Sequence, residues 1–315
     1  TRVALLIVGW LAQFFPASPA YPLKDVLARG WHFSPYRLLD IWGRWDTGWY
    51  LSIVRDGYML QADHTQQQSN LTFFPLYPML VRFLLWPIPD SWQTDGVVLF
   101  IGVLVSNLSL LGAIFLLYLF AQEISNDVGV AQRTVLYLLF FPTAFFLSCF
   151  YTDAIFLLLS VAALYAAQRQ QWAWAALAAA LLSITRPLGI LMTPILLWIY
   201  LSAIQWRWQK LRANVLWLLV APLPFLLYLA WIGQATGDWL APLNAQQPFF
   251  RGFAWPWMTL FAPTFPHPLI TPLEQFFVAL FLIVGVVAIW RLPSAAYGLW
   301  VWALTLPFLF TGTTT

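Results

Sequence analysis

Asp40, Arg44 and Asp46 fall within seven residues, between Trp42, Trp45 and Trp49, in a chain where only 9% of residues are charged. A carboxylate within hydrogen-bond reach of a substrate can take or give a proton. A carboxylate in front of a helix can instead accept a backbone N–H and cap it. Asp46 qualifies for both roles. Residues 47–56 read as helical, and Gly57 stands where a helix commonly ends in a left-handed residue. Arg44 follows Asp40 by four residues, the spacing of an ion pair on one helix face, so each accounts for the other. Leu38, Ile41 or Trp42, Trp45, Trp49 and Ile53 recur at three- and four-residue spacing. That stripe predicts an amphipathic helix lying in a membrane interface, either continuous or broken near Gly43 or Asp46, with the tryptophans as anchors.

The rest of the chain must position this cluster, and it is mostly apolar. Of 315 residues, 61% are hydrophobic and 18% aromatic, against about 45–50% apolar and about 25% charged in soluble domains. The composition is that of an all-α polytopic membrane protein. Runs free of Asp, Glu, Lys and Arg cover 3–15, 97–121, 134–148, 154–168, 170–185, 188–206, 213–237, 275–290 and 292–315. A crossing helix needs roughly 20 residues, so we expect about nine transmembrane helices in one domain, 1–315. The run begins at Thr1 without an initiator Met and ends at Thr315, and the chain is expected to be truncated at both ends. The single Cys149 excludes an intrachain disulfide, and the net charge of +3, without a basic cluster, speaks against nucleic acid.

The stretch 73–86, FFPLYPMLVRFLLW, is short, holds two prolines and contains Arg82, so it is expected to be interfacial or re-entrant. If the first span runs outward, the short inner loops hold Arg133, Arg169, the run Arg207, Lys210 and Arg212, and Arg291. The short outer turns hold Arg186 and Asp153. That is the positive-inside pattern. It places a long first outer loop, 16–96, with interfacial helices, and a second, 233–274, on the outer face. The polar segment QADHTQQQSN (61–70) is expected to be mobile.

Seven of the twelve acids, Asp25, Asp40, Asp46, Asp56, Asp63, Asp90 and Asp95, lie in the first outer loop, and the spans hold almost no charge at mid-depth. Ion-coupled transporters place such charges near the midplane. No Walker-type phosphate loop is visible either. A transporter or flippase of a lipid-linked glycan is therefore the weaker alternative. Chemistry is expected at the outer interface, on a substrate with a polar head at the surface and a tail in lipid. His32, His64 and His267 show no metal-ligand spacing.

The order of features resembles the GT-C class of membrane glycosyltransferases, and local sequences resemble the PIG-V mannosyltransferase family. The matching stretches are WGRWDTGWYLSIVRDGY (42–58), FFPLYPMLVRFL (73–84), FFPTAFFLSCFYTDAIFLLLSVAALYAAQRQ (140–170) and WAWAALAAALLSITRPLGILM (172–192). The resemblance implies mannosyl transfer from a polyprenyl-phosphate-mannose donor to a glycan or glycolipid acceptor, on the extracytoplasmic face. It also implies that Asp46 is the catalytic acid/base. In such a transfer one carboxylate takes the acceptor proton. The departing phosphate gains charge and needs Arg, Lys or a divalent cation. Arginine offers a planar fork for phosphate. On the expected topology, Asp46, Asp153, Arg44, Arg55 and Arg186 all face that side. Asp153 is read as an N-cap, or as a carboxylate that positions the acceptor or holds a metal ion. Arg186 either pairs with Asp153 or holds the phosphate. Tyr77 and its aromatic neighbours either wall the sugar site or anchor the segment in the interface.

Overall fold

The computed structural model describes residues 2–12, 32–61, 63–249, 251–261 and 270–313. Asp25 and His267, expected in the two outer loops, lie outside the described residues. The described chain is helical, apart from a short antiparallel pairing of Arg251–Phe253 (β1) with Thr311–Thr313 (β2). It divides into two compact units. The first comprises 1–59 and 73–162, the second 60–72 and 163–315.

The first unit holds α1 (Arg2–Ala12), α2 (Arg37–Asp40), α3 (Thr47–Asp56), α4 (Leu76–Leu85), α5 (Asp95–Ser125), α6 (Val128–Phe140) and the start of α7 (Asp153–Gln168). With 31 residues, α5 is about 46 Å long, more than the ~30 Å of a bilayer's hydrocarbon core. Thr94 caps it through Val97 N–H. Asn126 ends it in the left-handed conformation, and Asp127 then caps α6 through the N–H groups of Gly129 and Val130.

The buried face of α5 carries Gly102, Ser106, Ser109 and Ala113. These small residues admit close neighbours. A Cβ on Gly102 would overlap the Phe150 ring, which is fully buried. Between α6 and α7 the chain leaves the α-helical path at Phe141 and Pro142 and runs through a 3-10 turn, Ala144–Ser148. Its backbone polar groups need partners in an apolar setting. Asn107 Nδ2 donates to Ser148 O at 3.3 Å, Ser106 Oγ donates to Tyr151 O at 3.3 Å, and Ser148 Oγ donates to Asn107 Oδ1 at 2.8 Å.

One expectation changes here. The amphipathic interfacial helix is α3, yet Thr47 through Val54 are all buried. Gly48 and Ser52 leave room on the side away from the apolar stripe, so α3 enters the core against α4 and α5. Trp49 is 3% exposed and stacks on Phe73 at 6.0 Å. Segment 73–86 forms α4, ten residues and about 15 Å long, too short to cross. It buries Tyr77, Pro78, Val81 and Leu85 and leaves Phe83 and Trp86 exposed.

The second unit holds the rest of α7 and α8 (Trp172–Ser183), α9 (Met192–Ala203), α10 (Leu223–Thr236), α11 (Ala241–Asn244), α12 (Pro256–Phe261), α13 (Ile270–Arg291) and α14 (Ala296–Leu309). Buried Ala175, Ala176 and Ala179 let α8 pack closely. Two segments of the described chain are long and apolar enough to cross a membrane, Asp95–Ser125 and Ala213–Thr236. The other apolar helical stretches of the described chain run 10–17 residues, among them Val128–Phe140, Asp153–Gln168, Trp172–Ser183 and Gln275–Arg291.

The polar segment 61–70 makes contacts that its composition did not announce. His64 Nε2 lies 3.0 Å from Asp238 Oδ2, and Gln68 Nε2 donates to Pro248 O. Ser69, Asn70 and Leu71 are fully buried. Composition cannot announce partners more than a hundred residues away. A cavity of about 520 Å³ opens beside Trp172, Tyr200, Lys210 and Arg212.

The Gly102 contact makes a direct test. Alanine in a helix gains roughly 1 kcal/mol over glycine in propensity. Overpacking against a buried ring costs roughly 1–3 kcal/mol. Gly102→Ala is expected to lower the thermal midpoint in detergent. Gly112→Ala, whose Cβ would meet only Leu158 methyls at 3.2 and 3.6 Å, is expected to lower it less.

Candidate active site

The loop before α3 and the turn before α7 meet in the first unit through Tyr151, which brings Asp46 and the head of α7 together; Arg55, Tyr77 and Arg186 do not join them. Asp46 occupies the cap position of α3, with its backbone in the right-handed helical region. Its carbonyl accepts the N–H of Trp49 at 3.0 Å. Its side chain makes no capping hydrogen bond. The carboxylate is half-buried, and the capping reading does not describe what it does.

The residue before it explains how Asp46 is presented. Trp45 has φ +50°, a left-handed conformation that costs a non-glycine residue about 1–2 kcal/mol. Its ring packs against Phe146 at 5.7 Å and Phe145 at 6.2 Å. Backbone strain of this kind concentrates at functional positions.

Tyr151 then fixes the loop. Its hydroxyl donates to Arg44 O at 2.7 Å and accepts the Asp46 N–H at 2.9 Å. Phe150 N–H donates to Trp42 O at 3.1 Å, and Tyr50 and Thr152 hydroxyls meet at 3.3 Å. Burial, and then the Asp46 charge, push the Tyr151 phenol far above its ordinary value, so it stays protonated and can donate. Two residues on, Asp153 is the first residue of α7 rather than the residue in front of it, with Thr152 fully buried before it. Its carboxylate lies at the positive end of the helix dipole.

The arginines divide. Arg44 Nη2 pairs with Asp40 Oδ2 at 3.0 Å, as the spacing predicted, and its Nη1 donates to the carbonyls of Asp40 and Gly43. Asp40 is 3% exposed. Burial pushes its carboxyl up. The hydrogen bonds from His32, Phe33 N–H and Ser34 N–H, with the Arg44 charge, outweigh that and hold it below the usual carboxylate range. Arg55 Nη2 pairs with Asp95 Oδ1 at 3.1 Å, at the start of α5. Arg186 belongs to the second unit, half-buried and extended before Pro187 at φ −153°.

Tyr77 is not a wall of an open site. It is fully buried, with its hydroxyl on Gly102 O at 2.8 Å and Ser106 Oγ at 2.9 Å and its ring edge-on to Tyr50 and Phe150. Its place is beneath the site, supporting the residues that carry Tyr151 and α3. Among the described residues, no three His, Cys, Asp or Glu side chains gather where a metal ion would be held.

Sequence reasoning passed over Tyr151. The signal was present in the stretch FYTDAIF, where only Asp153 drew notice.

Residues 34–230, more than half of the chain, match the family model described as mannosyltransferase (PIG-V). The match takes in Asp46, Tyr151, Asp153 and Arg186. No curated protein and no solved structure gives a significant match.

Two measurements test this geometry. Tyr151→Phe deprives the Arg44 carbonyl and the Asp46 N–H of the phenol. It is expected to cost about 1–3 kcal/mol, read as a lower thermal midpoint and faster amide exchange at Asp46. Asp40 has a depressed folded pKa, so its stabilisation is present above the unfolded value of about 3.9 and lost as pH falls through the folded one. Asp40→Asn is expected to be less stable at neutral pH and to lack that acid step, read from thermal midpoints between pH ~7 and pH ~3.

Proposed function

The chain belongs to the PIG-V mannosyltransferase family, and we propose on that premise that it moves mannose from a polyprenyl-phosphate-mannose donor to a hydroxyl of a glycan or glycolipid acceptor. The acceptor oxygen attacks the anomeric carbon as the bond from that carbon to the phosphate oxygen breaks. The bonding pair leaves with the polyprenyl phosphate, and the acceptor proton passes to the Asp46 carboxylate. A single displacement inverts the anomeric centre. The transition state has oxocarbenium character, as in glycoside hydrolysis.

The observation that carries this reading is the presentation of Asp46. It sits at a helix cap position without spending its side chain on the cap, after a left-handed tryptophan, with its backbone held by Tyr151. A group that must take a proton needs such fixed placement more than it needs the cap. Asp153, at the head of the neighbouring helix, is the proposed acceptor-positioning carboxylate. Arg44 and Arg55 are committed to Asp40 and Asp95, so their proposed role is to hold the loop rather than the phosphate.

As a member of this family the chain is a membrane protein. The proposed arrangement is multi-pass, with about nine crossing helices and the site on the extracytoplasmic face, as the distribution of Arg and Lys over the short loops supports.

The test uses the full-length protein in liposomes with polyprenyl-phosphate-mannose and defined acceptors, with and without chelator. Asp46→Asn is expected to lower turnover by ~10²–10⁴-fold, with insertion and thermal midpoint unchanged. Near-normal turnover in that variant removes Asp46 from the role. Donor movement across the bilayer without any transfer would favour a flippase.

A further inference from the structure

Arg2 opens α1 with its guanidinium inside the first unit. Nη1 donates to Ala144 O at 2.7 Å. Nε and Nη2 are buried, and none of the described residues offers them a hydrogen-bond partner. Buried polar groups in native proteins are nearly always satisfied, and an orphaned cationic edge asks for an explanation. The edge formed by Nε and Nη2 is one of the two flat sides of the guanidinium. Two parallel N–H groups there match two oxygens of one oxyanion.

Its surroundings belong to the site. Ala144 begins the 3-10 turn that leads to Cys149, Tyr151 and Asp153. The Cys149 thiol is pushed up to about 12, chiefly by burial, with Asp153 adding to the shift and Arg2 and Arg44 pulling against it. Phe145 and Phe146, which follow Ala144, pack on the Trp45 ring beside Asp46, so Arg2 holds the turn that backs the Asp46 loop. Arg44 is occupied by Asp40; the Nε–Nη2 edge of Arg2 has no hydrogen-bond partner among the described residues.

We propose that Arg2 binds the phosphate of the lipid-linked sugar, its Nε and Nη2 donating to two phosphate oxygens beside the Asp46–Tyr151–Asp153 turn. This rests on the transferase reading above and supplies what that reading lacks in the first unit, a cation to meet the charge on the leaving phosphate. The ligand chemistry is a phosphate ester on a lipid. Its sources are the polyprenyl phosphate and the headgroup of an ordinary anionic phospholipid.

The experiment measures inhibition and binding by polyprenyl phosphate, which carries the phosphate without the sugar. It compares full-length wild type, Arg2→Gln and Arg2→Lys in nanodiscs of neutral lipid, with a parallel set containing phosphatidylglycerol. Loss of a charge-assisted fork is expected to weaken polyprenyl phosphate by roughly tenfold or more in Arg2→Gln. The donor KM should rise with it, while the acceptor KM holds. Arg2→Lys keeps the charge and loses the fork, and is expected to fall between. Phosphatidylglycerol should compete weakly. If either variant binds polyprenyl phosphate as tightly as wild type, Arg2 is structural and the inference fails while the transferase reading stands. Competition by phosphatidylglycerol as strong as by polyprenyl phosphate likewise makes the site a lipid-headgroup site and overturns the inference. If wild type itself neither binds polyprenyl phosphate nor transfers from its mannosyl ester, both fail together.

Discussion

The Tyr151 hydroxyl stands between the Arg44 carbonyl and the Asp46 N–H, and the geometry of the whole Asp46 turn depends on that bridge. It works only while the phenol keeps its proton, because the same oxygen must accept from one backbone group and donate to another. Burial secures this. The Tyr151 ring is packed by Phe146 at 5.5 Å and Tyr50 at 6.2 Å, and its neighbour Phe150 presses into the space left by Gly102. A phenol is well chosen for the task. A carboxylate there could not donate, and a shorter hydroxyl could not reach across from the 149–153 turn.

The support for that turn comes from an apolar helix that is not wholly apolar. Ser106 and Asn107 on α5 meet the backbone and side chains of a stretch that has no helical ladder of its own. Irregular backbone inside an apolar environment is tolerable only with such partners. The two hydrogen-bonding side chains therefore explain why the turn can be irregular, and the irregular turn explains how Tyr151 is aimed at a loop 105 residues earlier.

Local signals carried much of this into the sequence. The helix 47–56 and its end at Gly57 were legible because a terminus that needs positive φ favours glycine, and Gly57 has φ +84°, with ψ −163° rather than the left-handed helical value. The Asp40–Arg44 pair was legible from spacing alone. What was not legible lay in long-range packing. The stripe on α3 looked interfacial because its polar side is made of Thr47, Gly48 and Ser52, small groups that a core accepts as easily as water does. Tyr77 belongs to an aromatic run, and type alone does not distinguish a tyrosine at an interface from one whose hydroxyl reaches a helix carbonyl. Arg2 stands at the head of an apolar run, and nothing local announces its contact with the Ala144 carbonyl 142 residues away.

Trp45 remains a position where backbone and side chain want different residues. Its φ of +50° suits glycine, while its ring packs on Phe145 and Phe146 beside the Asp46 turn. Glycine there would relax the main chain and discard the ring; any other large residue would keep bulk and inherit the strain. Residue 45 is thus a point where main chain and side chain are in conflict, and a sequence drifting toward a relaxed backbone there would lose the ring that packs beside the Asp46 turn.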